Sequence, residues 1–166
     1  VTFLGEEAAA MNESIILGLY VVALLAAIFF GMQMDKKFQG KFPQNQTYAF
    51  GYTLGIFVVL LLPIAIIRHV VGLGGNIAAT LPFDIGLMIV GLGIIYRRML
   101  AWIVLILANV VVIVNAFSPM VVFTGHGPIF HDPSGGAFMI ELIISLLILA
   151  IITMYFFKRR QEMTFL

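Results

Sequence analysis

Apolar residues run along this chain in long blocks, interrupted by short polar stretches. Five blocks stand out: about 15–32, 48–67, 81–96, 100–117 and 137–157. Each reaches or approaches the roughly 18–20 residues that cross a bilayer as a helix. The punctuation fits. Gly40 and Pro43 stop a helix between the first two blocks, Gly72-Leu73-Gly74-Gly75-Asn76 separates the second from the third, and Pro119, Pro128 and Pro133 mark a loop at 118–136.

The shortest boundary decides the number of spans. Between Leu81 and Phe117 the only polar break is Tyr96-Arg97-Arg98-Met99-Leu100-Ala101-Trp102. Read as one helix, this segment would put two arginines near the bilayer middle, at about 2.5–3.5 kcal/mol each. Read as a tight turn, it gives five spans. Span three is then short, roughly 24 Å at 1.5 Å per residue.

Composition strengthens the membrane reading. The chain is 62% hydrophobic and 10% charged, against soluble averages of roughly 45–50% and about 25%. The expected fold is therefore all-α: one polytopic integral membrane bundle of five transmembrane helices spanning residues 1–166. A lipid bilayer is the implied environment. The basic residues sit in short clusters beside apolar blocks, not on an extended patch, so no nucleic-acid partner is expected. There is no cysteine, which excludes disulfides and thiolate chemistry.

Charge then sets an orientation. Lys and Arg near short loops collect on the cytoplasmic side. With an external amino terminus and a cytoplasmic carboxyl terminus, Lys36, Lys37, Lys41, Arg97, Arg98, Lys158, Arg159 and Arg160 all fall inside, and Arg68 alone falls outside. Arg97, Arg98 and Trp102 act as topology anchors. Tyr48, Tyr96, Trp102 and Tyr155 would form an aromatic belt at the inner interface. Residues 1–10, ahead of the first methionine, show no basic segment and cleavage site of a removable signal peptide. Multi-pass insertion in a cell inner membrane is the expected location.

A few residues could do more than pack. Gly51 and Gly55 form a GxxxG pair suited to close helix approach, and Pro63 should kink span two by removing the amide bond to the Val59 carbonyl. Glu141 lies early in span five, where a carboxylate is costly and seeks a partner; Arg68 is the obvious one, with Asp84 competing for it. Asn109, midway along span four, needs a hydrogen-bond partner and reads as glue between helices. His126, His131 and Asp132 in the outer loop are the weak metal-ligand set, but Gly127-Pro128 breaks any helical spacing between the histidines.

No P-loop, Rossmann glycine pattern, HExxH or GxSxG is present. No cofactor is expected, nor are catalytic residues. The functional expectation is a non-catalytic subunit or accessory protein within a larger inner-membrane complex, with other membrane subunits as partners. The alternative is a small homo-oligomeric transporter or channel using Glu141, Asn109 and the Pro63 kink. A metal-dependent enzyme at the outer His/carboxylate set comes third.

Overall fold

A computed structural model describes residues 2–39, 47–71, 77–117 and 136–165. It contains five helices: α1 (Thr2–Phe38), α2 (Ala49–Val70), α3 (Ile77–Ile95), α4 (Met99–Phe117) and α5 (Gly136–Arg159), followed by a 3-10 turn at Arg160–Glu162. Among the described residues there are no strands. Three helices, α1, α2 and α5, are long and apolar enough to cross a membrane, and α3 and α4 are shorter apolar helices.

Apolar blocks located the helices but underestimated their length. Helix α1 extends through Glu6, Glu7 and Glu13, well before the expected start at Ile15. Glu and Ala are strong helix formers, so the end of an apolar run need not end the helix. Helix α3 begins a turn earlier than expected and has 19 residues, about 28 Å at 1.5 Å per residue, and it is one of the two shorter apolar helices, as expected. Helix α2 is helical on both sides of Pro63 and runs unbroken to Val70.

The break at Arg97-Arg98 is a real chain reversal. The Arg97 amide donates to the Ile94 carbonyl (3.0 Å) and the Arg98 amide to the Gly93 carbonyl (2.8 Å). That pair of bonds is a Schellman closure. Its left-handed position belongs to Arg97, with φ of 57°, where glycine is usual because a Cβ there is strained. An arginine at a glycine position implies that its side chain is needed.

Consecutive helices pack on one another along the series α1 to α5. Their closest approaches use small residues. A Cβ on Gly31 would strike Thr53, and one on Gly55 would lie 2.8 Å from the Gly91 carbonyl oxygen, with the reciprocal contact equally tight. A Cβ on Gly93 would meet the Ala101 Cβ at 2.5 Å. The GxxxG expectation is thus met at Gly55, but Gly51 faces the ring of Tyr48, not a neighbouring helix. Large apolar side chains cover the exterior, among them Leu25, Phe30, Val111, Ile144 and Met154.

The tight glycine contacts give a paired prediction. Gly55→Leu forces α2 and α3 apart and should destabilise the bundle by about 1–3 kcal/mol. Gly86→Ala meets nothing within 4 Å and should be neutral or stabilising by up to about 1 kcal/mol through helix propensity. Denaturation of the two variants in mild detergent checks both signs.

Candidate functional site

The described polar chemistry concentrates at one end of the bundle, where α1, α3 and α5 finish and α2 and α4 begin. Tyr48, just before α2, is fully buried. Its hydroxyl donates to the Ile94 carbonyl at 3.0 Å and accepts the Trp102 indole N–H at 2.9 Å. The same carbonyl receives the Arg97 amide, so a single acceptor at the end of α3 is shared by the turn and by Tyr48. This works because Gly51 leaves room for the Tyr48 ring to fold back over the first turn of α2.

Around this pair is a group of aromatic rings. Tyr48 meets Tyr52 edge-on at 5.0 Å, and Tyr155 lies 4.7 Å from Phe50 and 5.4 Å from Trp102, centroid to centroid. The Arg97 guanidinium sits 4.3 Å from the centre of the Tyr48 ring and 5.6 Å from that of Tyr52. It also donates to the Tyr52 hydroxyl at 3.3 Å. Cation–π contacts gain strength when desolvated, reaching about 2 kcal/mol, and Arg97 is buried.

Glu162 supplies the counter-charge. Its carboxylate accepts from Arg159 at 2.9 Å and lies 3.8 Å from the Arg97 Nη1. The first is a charge-assisted hydrogen bond; the second is an ion pair beyond hydrogen-bond range. The segment carrying Glu162 continues into backbone pairing with the turn: the Met99 amide donates to the Thr164 carbonyl (2.8 Å) and the Thr164 amide to the Arg97 carbonyl (3.1 Å). Arg98 adds a bond to the Thr164 hydroxyl at 3.1 Å. Met163 is buried in the same core. On the far side, Asp35 of α1 accepts the Tyr48 amide at 2.6 Å and the Thr47 hydroxyl at 2.7 Å. A carboxylate at the start of α2 also complements the helix dipole there.

This arrangement changes several sequence expectations. Trp102 is fully buried within the bundle, not exposed as a belt residue would be, and its indole N–H finds its acceptor there. Tyr48 is buried likewise, and Tyr96, with 70% of its surface exposed, faces outward. Of the two turn arginines, Arg98 is exposed while Arg97 points into the core. Asp35, Tyr52, Arg159, Glu162 and Thr164 were not singled out as site residues. A signal existed for Glu162, the acid two positions beyond the Lys158-Arg159-Arg160 cluster.

The remaining candidates lie toward the opposite end or along the helices. Arg68 lies in the last turn of α2, Asp84 is buried in the third turn of α3, and Glu141 is half-buried in the second turn of α5. His69 shares a 2.7 Å hydrogen bond with the buried Thr80 hydroxyl, joining the end of α2 to the start of α3. The Asn109 side-chain amide donates to the Leu105 carbonyl of its own helix at 2.9 Å, where a bond between helices was expected; one turn back is the nearest acceptor in an apolar setting. His126, His131 and Asp132 lie outside the described residues. Among the described residues no group of three His, Asp or Glu side chains is placed to hold a metal ion.

The chemistry of the cluster is cohesive. Its hydrogen bonds and ion pairs join the five helices and the 3-10 turn at one end, while the Arg97 Nε, the Arg159 Nε and the Tyr155 hydroxyl are buried without a hydrogen-bond partner. Tyr48→Phe leaves the Trp102 N–H buried without its acceptor and should cost about 1–3 kcal/mol. Trp102 is the only tryptophan, so its emission, expected to move to shorter wavelength in this variant, reports the site directly. At Arg97, glycine relieves the positive φ and alanine does not. Both should be less stable than the parent, with Arg97→Gly above Arg97→Ala by about 1–2 kcal/mol in detergent denaturation. Comparison with protein-family models, with curated proteins and with solved structures gives no match.

Proposed function

We propose that this chain is a five-span integral membrane subunit, non-catalytic, that scaffolds or regulates a larger complex in a cell inner membrane. The observation behind this reading is a division of labour within the molecule. Tyr48, Trp102, Arg97, Arg159 and Glu162 at the Arg97 end make contacts with one another inside the bundle, and the exterior is apolar along most of its length. Helix α5 shows this most clearly. It packs on α4 and the 3-10 turn, yet Ile140, Ile143, Ile144, Leu147, Ile151 and Met154 are all exposed. Lipid covers such a face readily, and a companion membrane helix covers it equally well, since packing in a bilayer rests on shape and not on exclusion from water.

The orientation in this proposal puts the Arg97 end in the cytoplasm. In support, Lys36, Lys37, Arg98, Lys158 and Arg160 gather there in space as well as in sequence, which suits the positive-inside rule. The transporter alternative would draw on Glu141, Asn109 and Pro63. Asn109, with its amide tied to Leu105, adds nothing to that reading.

Because the chain has no cysteine, single-cysteine labelling gives a clean test. Gln161→Cys should react with a membrane-impermeant maleimide in inverted vesicles and not in intact cells, and Ile77→Cys should show the opposite pattern. Purification in mild detergent should bring down a membrane partner in fixed stoichiometry. A monodisperse homo-oligomer that conducts a solute in proteoliposomes would replace the subunit reading with the transporter one.

A further inference from the structure

We propose that the end of the bundle bearing the 97–98 turn binds anionic phospholipid headgroups, with Lys36, Lys37, Arg98, Lys158 and Arg160 as the contacting cations. The inference deepens the membrane reading above and rests on it.

It comes from how the structure sorts charges that the sequence merely mixes. Two acids and seven basic residues occupy this end among the described residues. Both acids are engaged within the protein: Asp35 with Thr47 and the Tyr48 amide, Glu162 with Arg159 and Arg97. Arg97 and Arg159 are the two buried cations. These four inward groups cancel, so the net charge of the end resides on the five cations, all exposed. No exposed Asp or Glu lies beside them among the described residues to compete with an anion for these cations.

The surroundings favour a lipid over a dissolved anion. Phe157 and Phe165 are exposed beside the basic residues, and Tyr96 is exposed next to the turn. The Arg160 guanidinium lies 5.4 Å from the centre of the Phe157 ring, holding positive charge at the border of the apolar face of α5. On α1, Lys36 and Lys37 follow the exposed Phe29, Phe30 and Met32. A phosphodiester beside acyl chains presents both halves of this pattern, negative charge and apolar surface, and long basic side chains reach the headgroup level while their stems stay on the apolar side. Each Lys or Arg near an anionic leaflet contributes about fivefold in affinity, and none of these five is needed for the buried cluster except for the Arg98 bond to Thr164.

The test uses the full chain in a neutral detergent, titrated with phosphatidylglycerol or phosphatidylcholine, with lipid adducts read by native mass spectrometry and stability by thermal shift. Phosphatidylglycerol should bind more tightly and raise the melting temperature, and added salt should weaken it. The double variants Lys158→Gln/Arg160→Gln and Lys36→Gln/Lys37→Gln alter exposed side chains. Each should lower phosphatidylglycerol affinity about twenty-five-fold while leaving phosphatidylcholine unchanged. Equal binding of the two lipids, or a preference that survives both double variants, overturns the inference. So does a shift of the same size with soluble glycerol phosphate, which would make the site one for a free anion. Failure of the underlying membrane reading looks different: the protein would then be released from membranes by alkaline carbonate.

Discussion

The guanidinium of Arg97, held inside the bundle on a strained residue, is the constraint that orders the rest of this molecule. A non-glycine residue in the left-handed region costs about 1–3 kcal/mol. Placing its charge against the Tyr48 and Tyr52 rings, with the Glu162 carboxylate at 3.8 Å, offsets that cost. Each partner then imposes a condition of its own. Tyr48 can lie under the guanidinium because position 51 has no side chain. Glu162 can approach because the chain turns at Arg160–Glu162 and pairs with the 97–98 turn. One side chain thus fixes the relation of α2, α3 and α5 at this end.

Two kinds of contact cooperate to define the bundle. Close approaches at Gly31 and Thr53, Gly55 and Gly91, and Gly93 and Ala101 set how near the helices lie. Such contacts are non-directional: a helix could slide by a turn and find another small residue. The polar cluster does not allow sliding. Tyr48 must meet both Ile94 and Trp102, and a shift of one turn would strand a buried indole N–H, a hydroxyl and two guanidiniums. Buried polar groups penalise wrong arrangements more than they stabilise the right one, so we attribute helix register to this end and helix spacing to the glycines.

The sequence revealed the helices and the reversal at Arg97-Arg98, because runs of apolar residues and a pair of charges are local signals. It did not reveal what Arg97 touches. Tyr48, Trp102, Tyr155 and the turn arginines have the composition of an interfacial belt, and the same residue types serve at a lipid boundary and in a polar core. Only long-range proximity separates the two uses, and the helices lack a polar stripe that would announce which side faces inward. Helix ends were misjudged for a related reason. At Thr2–Ser14 and at Arg68–Val70 polar residues continue the helix, since backbone hydrogen bonding does not stop where apolarity does.

Glu162 and Thr164 meet residues far upstream, Thr164 bonding Arg98 from 66 positions away, and this separation has a temporal meaning. Chains emerge from the ribosome amino end first and begin to organise as they do so. The glycine contacts between α2 and α3 can form while α5 is still unmade. The closure around Arg97 cannot. During synthesis the contacts that close the Arg97 end therefore cannot form until α5 and the 3-10 turn have been made. The arrival of residues 160–164 then supplies the Glu162 carboxylate and the Thr164 backbone groups that close this end around Arg97.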